Sequence, residues 1–175
     1  MRALLIGRFQ PFHCGHLSIV EKILDDVDEI IIGIGSADLS HSIQNPFTAG
    51  ERIMMIRDAL TDINLDPSRY FIIPITDISI NNLWPAHVHM LTPPFEKVYS
   101  GNSLVQRLFI EDGLEVIKPT LFNRTEYSGT LIRDMIINDD DKWKSLVPEA
   151  VVRDIKSIDG INRMKHLSIK ELNEK

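Results

Sequence analysis

The sequence is poor in cysteine, with Cys14 as the one cysteine among 175 residues. A single cysteine excludes an internal disulfide and a cysteine-rich zinc module, so we expect a protein of the reducing cytoplasm. Long apolar runs are also missing, and no stretch approaches the roughly 20 residues that a membrane-spanning helix requires. The apolar run at the N-terminus, Ala3 to Ile6, is too short for the hydrophobic part of a signal peptide. The sequence therefore predicts neither a membrane protein nor a secreted one.

Positive charge is in deficit, because 19 Lys and Arg stand against 25 Asp and Glu, a formal net charge of −6. Binding along a nucleic-acid backbone needs a basic surface, so no nucleic-acid partner is expected. A small anionic ligand is compatible with this balance, since a few arginines can make a positive pocket in an acidic protein. The length predicts a single domain over 1–175, with an α/β core over about 1–138 and C-terminal helices over about 142–175.

Apolar, β-branched segments alternate along the chain with segments of helical periodicity. The predicted strands are Arg2–Gly7, Glu29–Gly35, Tyr70–Ile75, Lys97–Ser100 and about 114–118. The predicted helices are Gly15–Leu24, Ala49–Leu60, Trp84–Leu91, Asn102–Ile110 and, less sharply bounded, 129–137, 147–158 and 163–172. Such alternation is typical of βαβ units. We therefore predict an α/β, Rossmann-like fold: a parallel sheet with helices on both faces and a short C-terminal helical extension.

The most informative segment follows the first predicted strand and reads GRFQPFHCGH from Gly7 to His16. In open α/β sheets, ligands bind beyond the carboxyl ends of strands, where the N–H groups of the next helix point outward. Arg8, His13 and His16 lie at that point and offer hydrogen-bond donors suited to a phosphate. The alternative interpretation is a polar helix cap. A metal pair fits less well, since two histidines and one cysteine do not complete a tetrahedral zinc site.

A second polar segment begins a later predicted helix and reads YSGTLIR from Tyr127 to Arg133. Hydroxyls and a small residue at a helix start are the features of an anion site. One interpretation is a capped helix with a solvated Arg133. The other places Ser128, Thr130 and the helix N-terminus around the β- and γ-phosphates of a nucleoside triphosphate, with Arg133 as the counter-charge.

A third segment reads NPFTAGER from Asn45 to Arg52. Thr48 and Glu51 have the spacing of a capping box at a helix start. Arg52 is interpreted either as part of a nucleotide site or as a solvated helix residue.

The order and spacing of the first two motifs resemble the nucleotidyltransferase superfamily with H-x-G-H and I-S-S-T-x-I-R signatures. The GRFQPFH opening and the YSGTLIR variant are similar to those of the archaeal-type nicotinamide-mononucleotide adenylyltransferases. Further segments resemble the same family along nearly the whole chain: Gly35–Ala37, Ser40–Ser42, Asn45–Arg52, Ser100–Asn102, Val147–Pro148 and Arg163–Lys165. In relatives a basic residue at the position of Gln44 would help to hold a phosphate.

The resemblance implies attack of the 5′-phosphate of nicotinamide mononucleotide on the α-phosphorus of ATP, giving NAD and pyrophosphate without a covalent enzyme intermediate. Such a displacement needs positioning and positive charge more than a nucleophilic side chain. The implied catalytic residues are His13, His16, Arg8 and Arg133. The implied ATP contacts are Gly7, Arg8, Phe9, His13, His16, Gly101, Asn102, Arg124, Tyr127, Ser128, Thr130 and Arg133. Mg²⁺ is expected to bind mainly through the ATP phosphates, and no protein side chain is identified as its ligand.

The implied contacts to the mononucleotide are Ser36, Asn45, Asp77, Asn81 and Trp84. Trp84 would stack on the pyridinium ring, Asn81 would pair with the carboxamide, and Asp77 would bind ribose hydroxyls. The alternatives are a core aromatic at Trp84 and a turn at Asn81-Asn82.

Several functions stay open at this point. Nicotinate mononucleotide or another phosphate acceptor would use the same chemistry, and a non-catalytic nucleotide sensor would use the same crevice. The segment 77–84 disfavours phosphopantetheine, which has no aromatic ring, but does not separate an amide from an acid on the pyridine ring. His13, His16 and Arg133 disfavour a sensor, which has little need of transition-state contacts. The resemblance also implies a homo-oligomer, a hexamer.

Overall fold

The structure is a computed structural model that describes residues 1–119 and 127–173. The chain divides into two compact units. The first unit contains residues 1–8, 18–38 and 65–119, and the second contains 9–17, 39–64 and 127–173. The single domain proposed from the sequence, with its C-terminal helical part, stays a prediction.

The first unit is built on a five-stranded parallel sheet. The strands are β1 Arg2–Gly7, β2 Glu29–Ile34, β3 Tyr70–Pro74, β4 Lys97–Ser100 and β5 Glu115–Ile117. Their order is β3-β2-β1-β4-β5, and each neighbouring pair is parallel. The α/β, Rossmann-like class is confirmed, and β1 and β4 flank the switch point where such sheets bind ligands.

The helices are α1 Cys14–Asp26, α2 Ala49–Asp62, α3 Trp84–Leu91, α4 Ser103–Glu111, α5 Gly129–Ile137, α6 Glu149–Ser157 and α7 Gly160–Asn173. All seven predicted helices are found, with ends that differ from the prediction by up to three residues. Three short 3-10 helices, Pro67–Arg69, Asn81–Leu83 and Asp141–Ser145, were not predicted. Over the described residues, none of the helices has the length and apolarity to cross a bilayer.

The core of the first unit forms between the sheet and the two helices that follow β3 and β4. Leu4, Ile31 and Val98 of the central strands meet Trp84 of α3 and Phe109 of α4. The rings of Trp84 and Phe109 pack edge to face, with centroids 5.7 Å apart. Strands buried in this way read as continuous apolar runs, which is why the sequence located them.

The second unit packs α2 against α6 and α5 against α7. The predicted capping box at the start of α2 is confirmed: Thr48 Oγ1 accepts the N–H of Glu51 at 3.2 Å, and Glu51 accepts the N–H of Thr48 at 2.9 Å. Arg163 of α7 adds two bonds to the same carboxylate, at 2.7 and 2.8 Å. Burial would raise the pKa of Glu51, but the bonds from Arg163 and Thr48 outweigh it and lower this pKa. The start of α2 is therefore tied to the C-terminal helix.

Candidate active site

Two histidine rings lie stacked at the start of α1. The ring centroids of His13 and His16 are 3.5 Å apart, with 15° between their planes. The N–H of His13 donates to Nδ1 of His16, and the N–H of His16 donates to Nδ1 of His13, both at 3.2 Å. This reciprocal pairing is a capping box in which two imidazoles take the places of Ser/Thr and Glu.

The reciprocal bonds determine the tautomer of both rings. Each Nδ1 accepts a hydrogen bond, so in the neutral ring it carries no proton. The proton therefore sits on Nε2 of His13 and on Nε2 of His16. The turn offers a ligand two N–H donors of known position and no ionic charge.

The histidine pair resists protonation. Burial lowers the pKa of His13 to about 4. Burial also lowers the pKa of His16 well below its usual value, and the neighbouring His13 lowers it further, since two stacked cations would repel each other. Both rings are consequently neutral hydrogen-bond donors near pH 7.

Two phenylalanine rings pack against His16. The ring of His16 meets Phe9 edge-on at 4.9 Å and Phe12 face-on at 5.5 Å, between centroids. Phe9 has a φ of 51°, a left-handed conformation that is strained for a bulky residue and occurs mostly where surrounding contacts enforce it. The Phe9 backbone is thus held in a rare conformation at the turn that carries the histidines.

The two sequence motifs are in direct contact within the second unit. The ring of Tyr127 lies 6.2 Å from that of His13, and a Cβ at Gly15 would lie only 2.9 Å from Cβ of Tyr127. The guanidinium of Arg133 donates from Nη1 to the carbonyl oxygen of Gln10 at 2.7 Å. A glycine at position 15 therefore makes room for the second motif.

The two arginines that the sequence left ambiguous are buried. Arg133 is 6% exposed and donates from Nη2 to Thr130 Oγ1 at 3.2 Å. Arg52 is fully buried and donates from Nε to the carbonyl oxygen of Thr48 at 3.2 Å. The interpretation of either arginine as a solvated helix residue is wrong, because each guanidinium folds back onto the backbone of its own unit.

Asn45 brings a buried amide to the segment before α2. Its N–H lies 3.1 Å from both the carbonyl oxygen and the hydroxyl of Ser42. The side chain is 7% exposed, and within residues 1–119 and 127–173 its Oδ1 has no hydrogen-bond partner. A buried acceptor without a donor is costly, so this oxygen is suited to a donor from a ligand.

The residues predicted at strand ends lie at the carboxyl edge of the sheet in the first unit. β1 and β2 end side by side, where the N–H of Gly35 donates to the carbonyl oxygen of Gly7 at 2.9 Å. Arg8 follows β1 and is exposed, and Ser36 follows β2 with a φ of 47°. Gly101 and Asn102 follow β4 and are exposed.

Asn102 also caps α4, since its Oδ1 accepts the N–H groups of Leu104 and Val105 at 2.9 and 3.3 Å. Capping fixes the orientation of this side chain at the strand end.

The residues predicted for the mononucleotide are held less tightly. Asp77 and Asn81 are exposed, and Asn81 begins a 3-10 helix, in line with the turn interpretation of that dipeptide. Trp84, in contrast, is only 8% exposed and belongs to the apolar core. The core interpretation of Trp84 is therefore confirmed, while its stacking on a pyridine ring stays a prediction. Arg124 lies outside the described residues.

Two features of this region were not found from the sequence. Gln10 is buried and bonded through both ends of its side-chain amide, and Arg163 reaches Glu51 across 112 positions. A polar residue placed between Phe9 and Phe12 was a signal for Gln10. No local pattern marks the partner of Arg163.

The chain is similar to known proteins along nearly its whole length. Residues 4–135 match the family described as cytidylyltransferase-like. The chain is 60% identical over 171 residues to the nicotinamide-nucleotide adenylyltransferase of Methanococcus aeolicus, covering 98% of this chain and 97% of that one. It is 51% identical over 168 residues to the protein of the same name from Picrophilus torridus, covering 96% and 98%.

The fold has a solved counterpart in Francisella tularensis. The crystal structure of a bifunctional NMN adenylyltransferase/ADP ribose pyrophosphatase, complexed with AMP and a Mn ion, superposes with a TM-score of 0.76 at 24% identity. The match covers 98% of this chain but only 53% of the larger one, so this chain spans about half of that protein's length. The resemblance carried by the two motifs is confirmed, and the chain belongs to the nicotinamide-nucleotide adenylyltransferases of the cytidylyltransferase-like family.

Proposed function

We propose that the protein joins nicotinamide mononucleotide and ATP to give NAD and pyrophosphate. An oxygen of the mononucleotide phosphate attacks the α-phosphorus of ATP in line. The bond from that phosphorus to the bridging oxygen breaks, and pyrophosphate leaves with the electron pair. The nucleophile is already ionised near neutral pH, so no side chain needs to remove a proton and no covalent enzyme intermediate forms.

The direct packing of the H-x-G-H turn on the YSGTLIR segment carries this proposal. Through Tyr127 and Arg133 it holds two neutral imidazoles and a guanidinium in one unit. Fixed donors of this kind suit a reaction in which charge shifts between phosphate oxygens. A general-base mechanism would instead call for a side chain whose pKa is near the working pH.

We assign the donors by their position and chemistry. The Nε2–H groups of His13 and His16 bind the α-phosphate and strengthen as negative charge builds on its oxygens in the transition state. Arg8 and Arg133 neutralise charge on the phosphates. The remaining proposed ATP contacts are Gly7, Phe9, Gly101, Asn102, Arg124, Tyr127, Ser128 and Thr130.

We assign the mononucleotide to Ser36, Asn45, Asp77, Asn81 and Trp84. The buried Oδ1 of Asn45 would accept a hydroxyl or N–H of this substrate, which would remove the cost of an unpaired acceptor. The exposed Asp77 and Asn81 carry the acceptors and donors that ribose hydroxyls and a carboxamide need.

Mg²⁺ would be held mainly by the phosphate oxygens of ATP and would supply positive charge that stabilises the leaving pyrophosphate. Among residues 1–119 and 127–173, no three His, Cys, Asp or Glu side chains are grouped to hold a metal ion. A donor set consisting of substrate oxygens and water is the arrangement that Mg²⁺ commonly keeps in nucleotide sites.

The assay that tests the function is incubation with ATP, Mg²⁺ and either nicotinamide or nicotinate mononucleotide. Stoichiometric dinucleotide and pyrophosphate from the amide substrate support the proposal. Faster turnover of the acid would assign nicotinate mononucleotide as the acceptor. Tight ATP binding with neither product would point to a nucleotide sensor and contradict the proposal.

Three further expectations belong with this function: a homo-oligomer, specifically a hexamer, a cytoplasmic location, and the absence of a nucleic-acid partner. Analytical ultracentrifugation at several protein concentrations tests the first. A sedimentation coefficient of a 20.0 kDa monomer throughout would contradict it.

A further inference from the structure

Gln10 is a buried polar residue in the middle of the H-x-G-H turn, and only 4% of it is exposed. Its Nε2 donates to the carbonyl oxygen of Phe47 at 2.9 Å, and its Oε1 accepts the N–H of Phe47 at 3.0 Å. The side-chain amide thus pairs with both backbone groups of one distant residue, as a neighbouring strand would. The pairing needs a donor and an acceptor on the same planar group, a requirement that a carboxylate does not meet.

The backbone of Gln10 contacts a different segment, helix α5. Its carbonyl oxygen accepts Nη1 of Arg133 at 2.7 Å. A Cβ at Gly129 would lie 2.9 Å from that same oxygen, so the first residue of α5 fits there only as glycine. One residue therefore connects the histidine turn, the segment before α2 and the start of α5.

Each connected segment carries a group used in the proposed reaction. The histidine turn carries His13 and His16, and α5 carries Arg133. Phe47 lies two positions after Asn45, whose buried oxygen is assigned to the mononucleotide. Both ends of the Gln10 amide are hydrogen-bonded to Phe47 and are not available to a substrate. Gln10 therefore affects the reaction only through the groups that it holds in place.

We propose that Gln10 is a positioning residue that locks the Phe47 segment and Arg133 in register with the histidine pair. The inference rests on the proposed function, because the groups that Gln10 would position are those assigned to that reaction. Loss of the amide pairing releases the Phe47 segment, and with it the alignment of the two substrates. Misplacement by about 1 Å costs on the order of 10²-fold in rate for a displacement of this kind.

The test uses Gln10→Met, which keeps length and volume but removes both hydrogen bonds. We expect kcat to fall by about 10- to 100-fold, while KM for ATP changes by less than about threefold because the phosphate donors remain. Gln10→Asn keeps the amide one methylene short of Phe47 and serves if the Met variant does not fold. We expect the same pattern from it, with a smaller fall in kcat.

Val151→Ala is the control, since Val151 is fully buried in α6. It lowers stability through packing and should leave kcat of the folded enzyme unchanged. If Gln10→Met and Gln10→Asn lose activity only in proportion to unfolding, as Val151→Ala does, the positioning role is wrong. Wild-type kcat in a folded Gln10→Met protein also overturns it.

Hydrogen exchange followed by mass spectrometry measures, without any turnover, how firmly Gln10 holds the Phe47 segment. In Gln10→Met, amides of residues 45–51 should exchange at least about tenfold faster, while those of 149–157 keep the wild-type rate. Unchanged exchange over 45–51 would contradict the proposal that Gln10 holds the Phe47 segment. A wild-type enzyme that makes no dinucleotide would refute the proposed reaction alone, since the exchange result still decides whether Gln10 holds the segment.

Discussion

Two of the residues assigned to the phosphates, His13 and Arg133, differ in burial from two of those assigned to the mononucleotide, Asp77 and Asn81. In the second unit His13 and Arg133 are buried and hydrogen-bonded to the protein itself. In the first unit Asp77 and Asn81 are exposed. A buried, bonded side chain keeps its position before substrate arrives, whereas an exposed one loses conformational entropy on binding. In the proposed function, His13 and Arg133 are therefore pre-organised for the phosphates, whereas Asp77 and Asn81 would become ordered when the mononucleotide binds.

Substitution of Trp84 should have the largest effect. Among the residues of the first unit that are assigned to the mononucleotide, it is the one buried in the core. Trp84→Ala removes a ring packed on Phe109, so we expect the free energy of unfolding to fall by about 3–5 kcal/mol. Urea denaturation measures the change. Trp84→Phe keeps much of the packing but offers a smaller aromatic face, so we expect a folded protein whose KM for the mononucleotide rises about two- to tenfold while KM for ATP stays constant. A wild-type KM in stably folded Trp84→Phe would leave Trp84 as a core residue only and remove it from the mononucleotide site.

His16 is the sharpest test of pre-organised donors. His16→Ala should lower kcat by about 10²–10³-fold, as for the loss of one fixed donor to a developing charge, with the circular-dichroism spectrum retained. His16→Gln places an amide N–H close to the position of Nε2 and should lose less. Equal losses in both variants would show that the Nε2–H donor is not the feature that matters. An unchanged kcat would remove His16 from the mechanism.

The buried His13 also predicts a pH dependence of stability. Because its pKa is lowered to about 4, the unfolded state binds the proton more readily between pH 6.5 and 4. Stability from this group is thus complete above about pH 6.5 and falls as the pH drops, by about 1.4 kcal/mol per pH unit. Urea unfolding at pH 7.5 and pH 5 should show a smaller loss in His13→Gln than in the wild type. The same loss in both proteins would contradict the neutral, buried state of His13.

Asn81 should show the smallest effect. Removing one exposed hydrogen-bonding group weakens binding by about 0.5–1.5 kcal/mol, so Asn81→Ala should raise KM for the mononucleotide about three- to tenfold. The kcat and the KM for ATP should stay constant. Asn82→Ala, in the same exposed 3-10 helix, is the matched control. A similar rise in both variants would assign the effect to the helix and not to the side chain of Asn81.

Local patterns accounted for much of the fold. The strands Arg2–Gly7 and Lys97–Ser100 and the helix Trp84–Leu91 have the bounds that periodicity predicts. The capping box of Thr48 and Glu51 was also predicted, because it involves four consecutive residues. Helix ends were less accurate: α7 begins at Gly160 and not near residue 163. Ends depend on cap geometry and packing, which periodicity does not contain.

Hydrogen-bond partners that are far apart in the chain could not be predicted from the sequence. Gln10 and Phe47 are 37 positions apart, and Gln10 and Arg133 are 123 apart. An arginine at helical spacing has the same sequence signal whether it is solvated or folded onto a distant carbonyl. The solvated interpretation of Arg52 and Arg133 was wrong for this reason.

The amino-acid sequence alone determined the alternating α/β class, the H-x-G-H and YSGTLIR segments and the family, because these depend on short-range periodicity and on neighbouring residues. Only the tertiary structure decided that two histidines cap each other through Nδ1, that both stay neutral, and that Gln10 joins three segments. These properties depend on separations of about 3 Å and on burial. Both arise when distant segments of the chain come into contact.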